Sequence, residues 1–278
     1  RAAGGQTPSR REGHAAVNLD GVAVVLGGFT DFGIRADVHV LDLRRAAPTP
    51  GRHREFERAW HQVTLPQRGN ANAVTPRNVY GHSAVTLRLA DGSSVVVRFG
   101  GMRGGGYSGE VDDLEALRWA TESHAPPPPP AGGQHASLSH YPLEFFEICA
   151  RPDEVHGWPP ARGYHAACAD DIGRVMYVSG GIAEGASLAC NDLWALDVGA
   201  ESGVWQWRRL VGDAGSEVVG EVPPARFGHS MCVTSSGRVL LVGGGNGGDL
   251  LREGGDLHDA WLFDLAESRW HPASIGPN

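Results

Sequence analysis

The chain has 278 residues, 41% of them hydrophobic and 20% charged, enough to bury a sizeable core and unlike the composition of a disordered chain. Its formal net charge of −8, with no run of like charge long enough to track a phosphate backbone, argues against a nucleic-acid partner. The longest apolar stretches, 21–28 and 239–245, are of strand length, short of the roughly 20 residues that span a bilayer, so no membrane segment is expected. All 24 basic residues are Arg, which excludes Schiff-base, lysine general-base and phosphate-loop lysine chemistry. With 40 Gly and 18 Pro, the composition predicts many turns and short strands. The first residues carry neither an initiator Met nor an apolar leader, and the chain is expected to be a processed or excised piece, which leaves its compartment open.

In chain order, one unit recurs four times. Each opens with Arg, a short gap and His: Arg11 and His14, Arg77 and His82, Arg162 and His165, Arg226 and His229, the last three following a Pro closely. An apolar strand follows (15–19, 83–87, 166–169, 230–234), then a turn such as Asp20-Gly21 or Asp91-Gly92, as a hairpin requires. A second strand (22–26, 95–99, 175–179, 239–242) runs into paired glycines, Gly27-Gly28, Gly100-Gly101, Gly180-Gly181 and Gly243-Gly244. A third strand begins on an acid, at Asp37, Asp113, Asp192 and Asp259, and a fourth carries an aromatic residue, at Trp60, Phe146, Trp207 and Trp270. Four short strands per unit with paired glycines predict the sheet of a propeller blade, the glycines allowing close packing around an axis.

These motifs resemble the kelch repeat, from Arg11 to Trp270. The resemblance implies an all-β, kelch-type β-propeller: residues 1–278 form the propeller region, with four-stranded blades at about 11–66, 77–150, 162–212 and 226–273 and a proline-rich surface loop at 120–142. The repeat histidines lie 68, 83 and 64 residues apart (14 to 82, 82 to 165, 165 to 229), longer than the roughly 50 of a kelch repeat, so the connections are enlarged. Kelch rings of six or seven blades imply that the four units belong to a larger ring; a small closed ring of four is the alternative. Unit two departs most. It has two extra residues in its lead-in, Glu115 where units three and four have Trp194 and Trp261, and Phe146 in place of the outer Trp.

Among chemistry-bearing residues, the four repeat histidines are one per blade and too far apart to share a metal, and no His-x-His, His-Glu-x-x-His or Cys-x-x-Cys spacing occurs, so no metal site is expected. Cys168 and Cys232 occupy the position of Val17 and Val85 and read as buried small hydrophobes. Four scattered Cys favour a reducing compartment, cytoplasmic or nuclear. No Tyr, Cys and His constellation like that of the copper oxidases among kelch-like propellers is present, and no cofactor is expected.

The candidate binding residues lie on one face. Arg11, Arg77, Arg162 and Arg226 precede the innermost strands, beside Tyr80, Tyr164 and Phe227, and in kelch domains the same face receives the loops after the glycine pairs, here starting at Phe29, Met102 and Ile182 with Gly245. A ring of guanidinium forks there suits carboxylates; alternatively, each Arg pairs with an acid of its own or the next blade. No catalytic residue is assigned. The expectation is a non-catalytic protein-interaction propeller, a scaffold or substrate receptor whose partner presents an acidic segment, with no nucleic acid or membrane partner and an open oligomeric state. The lead-in motifs are similar to plant-type F-box kelch proteins, which implies a ubiquitin-ligase adaptor. The alternative is a kelch-propeller enzyme, a lyase-like specifier or sugar epimerase, using Glu110, Asp112, Asp249, Glu253 and His258 at the central mouth.

Overall fold

The computed structural model describes residues 7–44, 60–65, 75–104, 108–121, 124–127, 141–146, 148–170, 172–183, 189–199, 203–212, 221–246 and 255–273. Most of the proline-rich loop, residues 45–57, and Asp249 and Glu253 lie outside these. The described chain is all β. Four antiparallel sheets follow one another as the blades of a propeller. Blade one pairs Ala15–Leu19, Val22–Thr30, Gly33–Asp42 and Trp60–Gln62 in that order; blade two Ser83–Arg88, Ser94–Phe99, Leu114–Trp119 and Leu143–Phe146; blade three Ala166–Ala169, Val175–Ser179, Leu193–Asp197 and Trp205–Val211; blade four Ser230–Val233, Val239–Val242, Ala260–Asp264 and Arg269–Pro272. The first hairpin turns on Asp20 and Gly21, both with positive φ (51° and 84°), the conformation for which an Asp-Gly pair is suited. Blade three gains a fifth, outer strand that the repeat pattern does not announce: Ala150–Arg151, on the crossing from blade two, pairs in parallel with Trp205 and Gln206.

The core lies between blades. Leu19, Val24 and Val38 meet Leu117, Trp119 and Phe145 between blades one and two; Leu87, Val97 and Phe99 meet Val178, Trp194 and Trp207 between two and three; Cys168, Tyr177 and Ala195 meet Leu241, Phe263 and Trp270 between three and four. The outer-strand aromatics of blades two, three and four thus pack back onto the preceding blade. Trp207 and Trp270 are buried, each worth about 3–5 kcal/mol against truncation to Ala. Register corrects the sequence reading of blade two. Trp207 pairs with Leu196 and Trp270 with Phe263, and the partner of the equivalent Leu117 is Phe145, not Phe146. Successive side chains on a strand face opposite ways. Phe145 therefore fills the Trp position toward blade one, while Phe146 packs against the core shared with blade three.

Two sets of backbone hydrogen bonds tie the blades together near the axis. The residue before each repeat His has positive φ, and its N–H donates to the carbonyl of the same residue one blade back: Gly81 to Gly13 at 2.8 Å, Tyr164 to Gly81 at 2.7 Å and Gly228 to Tyr164 at 2.8 Å. The second glycine of each pair donates forward, Gly28 to Val79, Gly101 to Arg162 and Gly181 to Arg226. The first glycine of the pair in blades one, two and three has no room for a side chain. A Cβ at Gly27, Gly100 or Gly180 would meet a carbonyl oxygen of the next blade at 2.9, 2.6 and 2.6 Å and the next repeat His at 3.1, 2.8 and 2.7 Å. The outer faces of blades one and four present this same interface without a neighbour among the described residues. His14 is exposed where His82, His165 and His229 are buried, and a Cβ at Gly243 would meet only Leu257, of its own blade, at 3.5 Å. Cys232 is accordingly exposed, a correction to its reading as a buried hydrophobe, because no neighbouring blade covers it among the described residues.

Candidate functional site

Three of the four repeat arginines are interior. Arg162 has no exposed surface: Nη1 donates to the Gly180 carbonyl at 3.0 Å, and Nη1 and Nη2 grip the two Asp192 oxygens at 2.6 and 2.7 Å. Arg226 repeats this with Gly243 and with Asp259 at 2.7 and 2.8 Å, and Arg11 with Gly27 and with Asp37 at 2.7 and 3.1 Å. A donor two residues beyond the Asp completes the clamp. It is Trp194 Nε1 in blade three, Trp261 Nε1 in blade four and the His39 ring in blade one, at 2.6, 2.7 and 3.0 Å. The fork geometry matches a carboxylate and fixes the lead-in loop to the third strand of the same blade. Hydrogen bonds from Arg226 hold the Asp259 carboxyl down at about 2. Burial works to raise Asp37, but hydrogen bonds from His39 and Arg11 keep it well below the usual carboxylate range. Arg11, Arg162 and Arg226 therefore do not line a shared mouth as a guanidinium ring, because the acid of their own blade already saturates them.

Blade two is built differently. Its two extra lead-in residues put Val79, three residues before His82, where the other blades have the clamp Arg, and Val79 is buried. Glu115 replaces the Trp or His donor and cannot donate when ionised, so a different cation serves it: buried Arg98, on the second strand, pairs with Glu115 and donates to the Arg77 carbonyl at 3.1 Å. Arg77 is displaced outward. Its side chain is 51% exposed and contacts Asp113 through Nη1 alone, at 2.9 Å, while Arg103 takes the other Asp113 oxygen.

The remaining predicted residues do converge at the loop end of the propeller. Phe29, Tyr80 and Tyr164 run across three blades, with ring centroids 5.6 and 6.2 Å apart. Tyr80 is buried, its hydroxyl donating to the Gly104 carbonyl at 2.9 Å. Tyr164 is held in the left-handed region (φ 54°), a conformation that costs a non-glycine residue about 1–3 kcal/mol and is maintained here by its two axial hydrogen bonds. Phe29, Phe227 and Ile182 are half-buried, and Met102 is fully buried beneath Gly163. The sequence reading missed Phe32. It sits at the tip of the long blade-one hairpin above this face and is 80% exposed, with the Arg35 guanidinium 5.9 Å from its ring centroid.

For the enzyme reading, Glu110 is half-buried, Asp112 and His258 are exposed, and no hydrogen bond or ion pair joins them among the described residues. Also among the described residues, no group of three or more His, Cys, Asp or Glu is arranged to hold a metal ion, and no helix is long and apolar enough to cross a membrane.

Four-stranded blades joined around an axis through paired glycines define the chain as a β-propeller. Residues 147–277, covering blades three and four, match the family described as the KLHDC2/KLHL20/DRC7 kelch-repeats domain. Adagio protein 3 of Arabidopsis thaliana is 27% identical over 276 residues, which takes in 96% of this chain and 35% of that protein. Host cell factor 2 of Homo sapiens is 29% identical over 86% of this chain and 31% of its own length. Kelch domain-containing protein 10 of Bos taurus is 24% identical over 96% of this chain and 48% of its own. The chain thus spans between about a third and a half of the length of these relatives. Blades three and four thus match a kelch-repeat family, and the chain as a whole is similar to kelch proteins.

Proposed function

We propose that the chain is a non-catalytic interaction propeller that holds a protein partner on its loop face. The observation that carries this reading is the surface at that end: an aromatic file from Phe29 through Tyr80 to Tyr164, overhung by exposed Phe32, on a framework locked by three interior Arg–Asp clamps. Aromatics held on a rigid framework, here half-buried Phe29 and Tyr164 and exposed Phe32 beside buried Tyr80, are what protein interfaces use as anchors. A substrate-receptor role feeding a ubiquitin ligase is the finer form of this reading; it rests on the resemblance to plant-type F-box kelch proteins and on a recruiting domain outside these 278 residues. The open faces at His14 and Gly243 support continuation into a ring of six or seven blades. Four scattered cysteines, with no disulfide among the described residues, suit a cytoplasmic or nuclear setting. The test is affinity capture with the wild-type chain, Phe32→Asp, Tyr164→Gly and, at the opposite end, Ile172→Asp. A partner retained by wild type and Ile172→Asp but lost by Phe32→Asp or Tyr164→Gly bears the reading out. Equal loss by Ile172→Asp, or equal retention by all, overturns it.

A further inference from the structure

Internal comparison of the four blades singles out one cleft. On the loop face of blade two, on its blade-three side, a cleft of about 410 Å³ is lined by Thr75, Arg77, Asp113, Glu115 and the apolar Leu114, Phe146 and Ile148, within the roughly 300–1,000 Å³ of ligand pockets. We propose that this cleft docks an acidic side chain of a partner segment together with an adjoining apolar residue; this rests on, and deepens, the loop-face reading above.

The argument is one of charge and displacement. In blades one, three and four the lead-in Arg is spent inside the fold on an Asp and a glycine carbonyl. In blade two, the lead-in insertion gives that place to Val79, and both acids of the cleft have cations of their own: Glu115 has Arg98, and Asp113 has Arg103. Three arginines thus face two carboxylates, a local excess of one positive charge in a protein of net charge −8. Arg77 supplies that excess. It is half-exposed, and its Nε and Nη2 have no hydrogen-bond partner among the described residues. A carboxylate is the group that matches the open side of a guanidinium fork. The second half of the ligand follows from register. Because Phe145 takes the inward aromatic position, Phe146 is left half-buried on the other side of the outer strand, and with Leu114 and Ile148 it offers an apolar wall beside Arg77. An acid alone would use half of this cleft, and an acid followed by Leu or Phe uses both.

The test uses the 278-residue chain and two fluorescein-labelled pools of hexapeptides, one with Asp or Glu before Leu or Phe, the other with Asn or Gln in place of the acid. Fluorescence anisotropy should show binding to the acidic pool only, weakening as salt rises. Arg77→Ala should lose about tenfold or more in affinity at an unchanged melting temperature, and Arg77→Glu should transfer preference to a Lys-containing pool, a reversal that a purely structural role for Arg77 would not produce. Wild-type protein that does not discriminate between the pools, or Arg77→Ala that binds as wild type, overturns the proposal. Loss by Phe227→Ala with retention by Arg77→Ala overturns this cleft while leaving the loop-face reading intact.

Discussion

Blades three and two solve one problem with opposite results. Both must tie a lead-in loop to a third strand that begins with Asp and lies on the loop face. Blade three does so with Arg162, Asp192 and Trp194, every polar group matched and nothing exposed. Blade two, with two residues inserted and the Trp replaced by Glu115, ties the same elements with Arg98 and sets Arg77 outside. A repeated motif letter is therefore not a repeated role, because the side chain's place depends on its distance from the His that anchors the strand.

The largest effects should separate the interior groups from Arg77. Arg162→Ala leaves Asp192 buried without its cation and should cost about 3–5 kcal/mol, as should Trp207→Ala through the cavity it opens between blades two and three. Glu115→Ala strands Arg98 in the same way and should also cost about 3–5 kcal/mol, which would place the rebuilt clamp on a par with the original; denaturant titration measures all three. A Glu115→Ala loss below about 1 kcal/mol would show that blade two has no clamp.

Acid should find the histidines next. Burial, reinforced by the neighbouring Arg162 and then His229, pushes His165 down to about 3; burial and Arg226 do the same for His229. Folded pKa values below the unfolded 6.5 mean that the unfolded chain takes up protons first. Stability is therefore full above pH 6.5 and declines as pH falls toward 3, by about 2 kcal/mol for each of these two histidines between pH 6.5 and 5. The Asp259 contribution is lost only lower, between about pH 4 and 2. Melting temperatures that hold steady from pH 7 to 5 would contradict the burial of both rings.

Two smaller effects sharpen the contrast. Exposed Cys149 and Cys232 should react with a thiol reagent in the native protein, while Cys168, buried and with its thiol pushed up to about 12, should wait for unfolding; mass spectrometry of the labelled chain reads this directly. Arg77→Ala, half-exposed and singly paired, should cost less than about 1 kcal/mol.

Much of the fold could be read from the sequence because a blade announces itself locally. The Asp-Gly turns, the glycine pairs and the alternation that places Val22–Leu26 and Val175–Ser179 are all short-range signals. What lay between blades was less legible. The side on which Trp207 packs, the choice of Phe145 over Phe146 and the exposure of Cys232 depend on neighbours distant in sequence. The clamp itself had left a trace: Arg11, Arg162 and Arg226 precede their Asp partners by 26, 30 and 33 residues. Pairing those two recurrent letters would have moved three arginines from the face to the interior, and the two extra residues before His82 would have marked Arg77 as the exception.

The chain of axial hydrogen bonds through Gly13, Gly81, Tyr164 and Gly228 has a polarity that bears on how such proteins grow. Blades two, three and four each give one amide proton to the neighbour before, and blades one, two and three each receive one from the neighbour after, through backbone atoms alone. A duplicated blade inserted at any joint finds an acceptor waiting on one side and a donor on the other, provided it keeps the glycine pair and a residue that tolerates positive φ before its His. Gene duplication can therefore lengthen or shorten the array by whole blades without rewiring the axis, leaving the loops of each blade free to diverge, as those of blade two have.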